Sequence, residues 1–238
     1  ATQAMLFELG AQTVLPPGYL CCGYPQTAAG EADEGQKITT DNRVLFHRVA
    51  NTLNYLDIKT VIVSCGTCMD QLQKYEFEKI FPGCRLLDIH EYLMEKGVKI
   101  DGVKGVRYLY HQPCHDPMKV HNGTKVAAQL LGSRVDLNDR CCGEAGTLAV
   151  ARPDVSTQVR FRKQEEIARG IERFPGADPV KILTSCPSCL QGLHRYADDT
   201  DTDADYIVVE LAKHLLGPDW MENYVARANA GGIERVLL

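Results

Sequence analysis

The sequence predicts an α/β fold of two tandem, homologous βαβ-type halves with parallel sheets, and three observations carry that expectation. Short apolar runs such as Val61-Ile62-Val63 alternate with longer segments whose apolar residues recur at helical spacing, the pattern of strands joined by helical crossovers. Eight of the 10 cysteines fall into two copies of Cys-Cys-Gly followed by C-x-x-C. The offset between copies is steady, 120 positions from Cys22 to Cys142, 121 from Cys65 to Cys186 and 120 from Gly97 to Gly217. A repeat of about 120 residues is the size of a small domain. The expected units are therefore a first domain over 1–100, a second over 101–217 and a tail over 218–238.

The elements follow in order. Ala4 to Gly10 reads as the end of an apolar helix closed by glycine. Half one continues with a strand over Thr13 to Leu15, a helix from about Lys37 to Leu56, a strand over Thr60 to Ser64, a helix from Met69 to Phe81, a strand over Arg85 to Ile89 and a helix from Glu91 to Lys96. Half two offers strands at Val106 to Tyr110, Arg134 to Leu137, Val180 to Thr184 and Tyr206 to Val209. Between and after them come helices at Lys119 to Leu131, Val155 to Arg169, Leu190 to Tyr196 and Leu211 to Leu216. Trp220 to Leu238 shows no such pattern. Each C-x-x-C directly follows a strand and opens a helix, so it is expected outside the carboxyl edge of a parallel sheet, where open α/β folds place ligands.

Composition removes several classes. A net charge of −5 leaves no electrostatic footprint for nucleic acid. No apolar run approaches the ~18 residues of a membrane-crossing helix, which leaves peripheral association with a membrane open. No basic and apolar leader is visible, so the cytoplasm is the expected location. There is no G-x-G-x-x-G after a strand and no P-loop, so no nucleotide or flavin site is encoded here.

The cysteines carry the chemistry. A thiolate at the start of a helix is stabilised by free backbone N–H groups, and thiolates bind metal. Structural zinc takes four ligands, whereas half two supplies five: Cys114, Cys141, Cys142, Cys186 and Cys189. That surplus favours an iron–sulfur cluster, with zinc and a thiol–disulfide pair as the alternatives. His111 and His115 flank Cys114 and read as satisfied structural histidines, with ligation or hydrogen bonding to cluster sulfur as the sharper reading. Cys84 reads as a small core residue, and Arg160, Arg162 and Lys163 as a solvated helix face.

The strings Tyr110-His111-Gln112-Pro113-Cys114-His115, Arg140-Cys141-Cys142-Gly143-Glu144-Ala145-Gly146-Thr147 and Ser185-Cys186-Pro187-Ser188-Cys189 resemble the cysteine-rich CCG domain. That domain occurs in a subunit of heterodisulfide reductase, in the glycolate oxidase iron–sulfur subunit and in the C-terminal part of FAD-linked oxidases of the D-lactate dehydrogenase type. The resemblance implies a [4Fe-4S]-type cluster, cubane or non-cubane, on Cys114, Cys141, Cys142, Cys186 and Cys189. It implies a second metal site on Cys21, Cys22, Cys65 and Cys68, with zinc as a candidate occupant there. Half one lacks a counterpart of Cys114, which the repeat places upstream of Ala1; truncation is the expected reason. The resemblance further implies electron transfer from a 2-hydroxy acid such as D-lactate or glycolate. The donor side would be an FAD-binding domain or subunit, with FAD upstream of this chain, and the acceptor a quinone, a ferredoxin or a disulfide. A zinc-stabilised interaction module and a heterodisulfide-type reductase are the competing readings.

Overall fold

A computed structural model describes residues 1–16, 20–144 and 148–231. The chain runs α1 (Thr2–Glu8), α2 (Tyr24–Ala28), α3 (Ala32–Thr52), β1 (Thr60–Val63), α4 (Gly66–Leu72), α5 (Phe77–Ile80), β2 (Arg85–Asp88) and α6 (Ile89–Glu95). It continues β3 (Arg107–His111), α7 (Gly123–Leu131), β4 (Val135–Leu137), α8 (Leu148–Ala151), α9 (Pro153–Arg173), β5 (Val180–Thr184), α10 (Pro187–Leu193), α11 (Ala197–Thr200), β6 (Thr202–Tyr206), α12 (Ile207–Leu216) and α13 (Trp220–Ala230).

All strand pairs among the described residues are parallel, as the alternation of strand and helix requires. β1 pairs with β2 in a two-stranded sheet, and the other sheet has the order β4-β3-β5-β6. β3 is central and buried on both faces through Tyr108, Leu109 and Tyr110, which accounts for its unbroken apolar run. The chain leaves β3 toward β4 on one side and leaves β5 toward β6 on the other. These neighbours flank the point where the strand order reverses, and at its carboxyl edge His111 pairs in register with Thr184.

One apolar cluster joins the sheets. Met5 and Leu6 of α1 and Ile89 and Leu93 of α6 pack in it with Val126, Leu130, Leu211 and Trp220. The seam is also hydrogen-bonded: His90 Nδ1 donates to Asp88 Oδ1 at 2.8 Å, and its Nε2 accepts from the Val208 backbone N–H at 3.1 Å.

Several boundaries differ from the sequence expectation. Thr13 to Leu15 forms only an isolated bridge at Leu15. The helix expected over Met69 to Phe81 is broken at Glu76, whose φ of 54° is left-handed. The last strand covers Thr202–Tyr206 rather than Tyr206 to Val209. Ile207 and Val208 instead open α12, where with Leu211 and Ala212 they form a buried stripe at helical spacing. The polar strand is tolerated because it lies at the sheet edge and the Asp205 carboxylate accepts the Tyr206 N–H at 2.8 Å. The tail is helical over Trp220–Ala230, anchored by Trp220; the stretch 232–238 lies outside the described residues.

Candidate metal centre

A serine separates each strand from its C-x-x-C. After β1 and Ser64, Cys65 caps α4 with φ −154° and ψ 130°; after β5 and Ser185, Cys186 caps α10 with φ −131° and ψ 123°. The extended cap turns into helix at once, so the next cysteine, Cys68 or Cys189, comes back beside the first at i+3 spacing. Tyr206, at the end of β6, ties the two strand ends together: its buried hydroxyl meets the Ser64 carbonyl and, at 2.8 Å, the Ser185 carbonyl. Tyr206→Phe removes the donor at this junction, and a loss of about 1–3 kcal/mol is expected in chemical denaturation, because buried carbonyls are left without a partner.

The Cys-Cys-Gly turns face these helices. Gly23 and Gly143 have φ of 86° and 80°, a conformation that glycine alone adopts freely. A Cβ at Gly143 would also stand 2.7 Å from Arg160 Cγ. Tyrosines hold both turns. The Tyr75 hydroxyl donates to the Cys22 carbonyl at 3.1 Å, and the Tyr196 hydroxyl to the Cys142 carbonyl at 2.8 Å. Each tyrosine ends the short 3-10 turn that extends the C-x-x-C helix, so one element carries two cysteines and fixes the turn opposite. The sequence reading misses these residues. Their signal is a tyrosine ten positions after Cys65 and again ten after Cys186.

The result is a continuous series of sulfurs within hydrogen-bonding reach: Cys22 to Cys68, Cys68 to Cys65, Cys65 to Cys186, Cys186 to Cys189, Cys189 to Cys142 and Cys142 to Cys141. The two cysteine sets that the sequence separates thus touch through Cys65 and Cys186. Cys114 is exposed on the loop after β3, at the same sheet edge, and its charge acts on Cys141. Cys21 is exposed, with its sulfur 3.9 Å from Gln26 Oε1. Cys84, expected to be a buried core residue, is half-buried and packs against the edge of an apolar cluster formed by Val49, Tyr75, Phe77, Ile80 and Phe81.

Protons are shared unequally along the series. Hydrogen bonds from Cys141 and Cys189 hold the Cys142 thiol far below its usual range. Cys186 and Cys68 do the same for Cys65, and Cys68 lowers Cys22 to about 6. The donors Cys141, Cys189 and Cys68 are correspondingly held as thiols, with burial adding to the effect. A cation among these sulfurs would favour thiolate at all of them.

The two histidines part company here. His115 is satisfied, with Nδ1 2.5 Å from Asp70 Oδ2 and Nε2 3.4 Å from the Tyr24 hydroxyl. His111 is not: it is fully buried, its Nε2 has no hydrogen-bond partner among the described residues, and it forms with Cys142 and Cys189 a buried triad whose ligand atoms lie within 4.8 Å of one another. Burial holds its ring neutral. Lys163, expected on a solvated face, is 0% exposed. Arg160 and Arg162 beside it are exposed; Lys163 turns inward because its ammonium meets His111 Nδ1, Asn138 Oδ1 and the Asn138 and Asp139 carbonyls at 2.6 to 3.1 Å.

Soft and numerous sulfur donors at a sheet edge, with Cys22, Cys142, Cys186 and Cys189 buried, are the ligand chemistry of iron–sulfur clusters. The profile of the cysteine-rich CCG domain matches residues 1–73 and again 108–194. The chain belongs to the cysteine-rich CCG domain family. A second profile, a domain of unknown function (DUF3400), matches residues 194–238. This CCG chain is 26% identical over 218 residues to an uncharacterized iron–sulfur protein of Methanocaldococcus jannaschii, covering 87% of the chain and 40% of that protein. It is 25% identical over 198 residues to one of the subunits of the fumarate reductase (CoM/CoB) of Methanothermobacter marburgensis, covering 78% and 36%. With the probable glycolate oxidase iron–sulfur subunit of Bacillus subtilis it shares 24% identity over 242 residues, covering 91% and 50%. The CCG chain thus spans half or less of the length of these three relatives. No solved structure matches it. Among the described residues no helix is long and apolar enough to cross a membrane.

Proposed function

We propose that this chain is the iron–sulfur electron-transfer part of a larger oxidoreductase. The observation that carries the reading is the unbroken series from Cys22 to Cys141, which offers more thiolates than a tetrahedral zinc ion uses. Cys114, Cys141, Cys142, Cys186 and Cys189 would hold a [4Fe-4S]-type cluster, and Cys21, Cys22, Cys65 and Cys68 a second metal site, of iron or zinc. A bound cluster supplies one-electron transfer. In this reading the cysteines would ligate, the positive-φ glycines let paired cysteines turn inward, Tyr75 and Tyr196 hold those turns, and the apolar shell around Cys142 and Cys189 would exclude water.

The relatives named as subunits of a fumarate reductase and of glycolate oxidase support a place beside partner subunits of an oxidoreductase. The donor would be a 2-hydroxy acid such as D-lactate or glycolate, oxidised at FAD outside this chain, and the acceptor a quinone, a ferredoxin or a disulfide. Anaerobic reconstitution with iron and sulfide tests the reading. Bound iron and sulfide in comparable amounts, with visible absorption that bleaches on reduction, are expected. Zinc alone, with no reducible chromophore, would leave an interaction module in its place.

A further inference from the structure

His111 ends β3 at the carboxyl edge of the sheet, and its environment fixes the role of each ring nitrogen. Nδ1 lies 3.1 Å from Lys163 Nζ, and that ammonium is fully enclosed, with Asn138 Oδ1 at 2.6 Å, the Asp139 carbonyl at 2.7 Å and the Asn138 carbonyl at 3.1 Å. The three oxygens can only accept from it. Burial lowers the Lys163 pKa, but the three oxygens around Nζ hold it as the ammonium. An ammonium has donors and no lone pair, so Nδ1 accepts from it. A neutral imidazole in that position carries its proton on Nε2, and Nε2 is the atom left without a partner among the described residues. The ring is within hydrogen-bonding reach of Cys142.

A histidine that binds metal normally presents its remaining N–H to a carboxylate, carbonyl or water. Here Nδ1 faces a cation, and the Asn138 carbonyl near the ring is itself held by that same ammonium. We propose that Lys163 is a positioning residue that locks His111 in the Nε2–H tautomer, so that His111 donates a hydrogen bond to the Cys142 thiolate and is not itself a metal ligand. The statement about Cys142 rests on the iron–sulfur reading; the tautomer does not. Hydrogen bonds to sulfur stabilise the more negative, reduced cluster and raise its potential.

The first half has no such charge at the corresponding place. α3 and α9 are both 21 residues long, and the eleventh residue is Lys163 in α9 but Asn42 in α3. Asn42 donates to the Cys21 carbonyl at 2.7 Å and to the Tyr75 hydroxyl at 3.0 Å. The same place on the helix therefore supports the backbone of the cysteine pair in one half and brings in a buried positive charge in the other.

The test uses the whole chain labelled with 15N-histidine, among whose seven histidines the His111 signal is assigned by its loss in His111→Gln. In long-range 1H–15N correlation of the unmutated protein, Nε2 is expected to be protonated and Nδ1 not; an Nδ1–H tautomer would overturn the proposal without reference to any metal. In Lys163→Met the fixed pattern is expected to give way to a mixture or to the other tautomer. After anaerobic reconstitution, Lys163→Met is expected to keep its iron and to show a midpoint potential shifted to more negative values. Unchanged iron with an unchanged midpoint would refute the inference and leave the proposed function standing. A directly bonded 15N coupling in pulsed EPR would also refute it, by making His111 a ligand. Absence of iron from the unmutated protein would instead count against the proposed function, with the tautomer measurement still deciding the role of Lys163. If Lys163→Met does not fold, the unmutated protein alone decides through its tautomer and its 15N coupling.

Discussion

Gly66→Ala is expected to destabilise the chain by about 3 kcal/mol or more, a fall of about 10 °C in melting temperature at this size. A Cβ at position 66 would stand 1.5 Å from the His115 carbonyl oxygen and 2.6 Å from its carbon. Those are backbone atoms, and they cannot yield as the tip of a side chain does. The helix that begins at Gly66 follows Cys65, and the loop around His115 carries Cys114, so the damage falls between cysteines of the two halves. Gly30→Ala is the control, because nothing lies within 4 Å of that site and only the left-handed φ of 90° is strained, costing about 1 kcal/mol. Thermal unfolding of both variants checks the contrast; equal losses would show that the close approach to His115 does not matter.

Cys142→Ser is expected to remove most of the reducible iron from reconstituted protein, and Cys22→Ser much less. Cys142 is in the interior of the sulfur series, with Cys141, Cys189 and His111 all within reach. Cys22 is at the end, with Cys68 as its side-chain partner. Loss of an interior thiolate opens a cluster on several sides at once, whereas loss of a terminal one leaves the rest of the shell in place. Iron and sulfide quantified per chain, at equal folded fraction by circular dichroism, provide the measurement. Equal depletion in both variants would mean that the series binds as one unit.

The fold and the centre are legible in the sequence to different depths. Parallel α/β architecture follows from apolar runs that alternate with helical spacing, a signal made by the core itself. The positions of both C-x-x-C motifs follow from their place after strands. What escapes the sequence is long-range pairing. Lys163 reads as one more charge beside Arg160 and Arg162, because only the fold brings Asn138 and His111 to it from 25 and 52 positions away. His111 reads as structural because a strand-end histidine normally finds partners for both nitrogens. The strand at Thr202–Tyr206 is displaced in the sequence reading because the β-branched Ile207-Val208-Val209 outweighs the Asp203 and Asp205 that flank Ala204. Local propensity is overridden there by burial of the α12 stripe.

The apolar cluster that holds α1 and α6 against α7 and α12 bears on how the molecule comes apart. Residues far apart in the chain, Met5, Leu93 and Leu211, share one interior, so neither strand end with its cysteines is mounted on a body that can melt alone. The spacing between the C-x-x-C motifs is set by dense side-chain packing rather than by a tether, and such packing resists gradual deformation. The chain's one tryptophan, Trp220, sits in that same interior. Its fluorescence therefore gives a single optical reading of whether the scaffold that carries the sulfur array is intact.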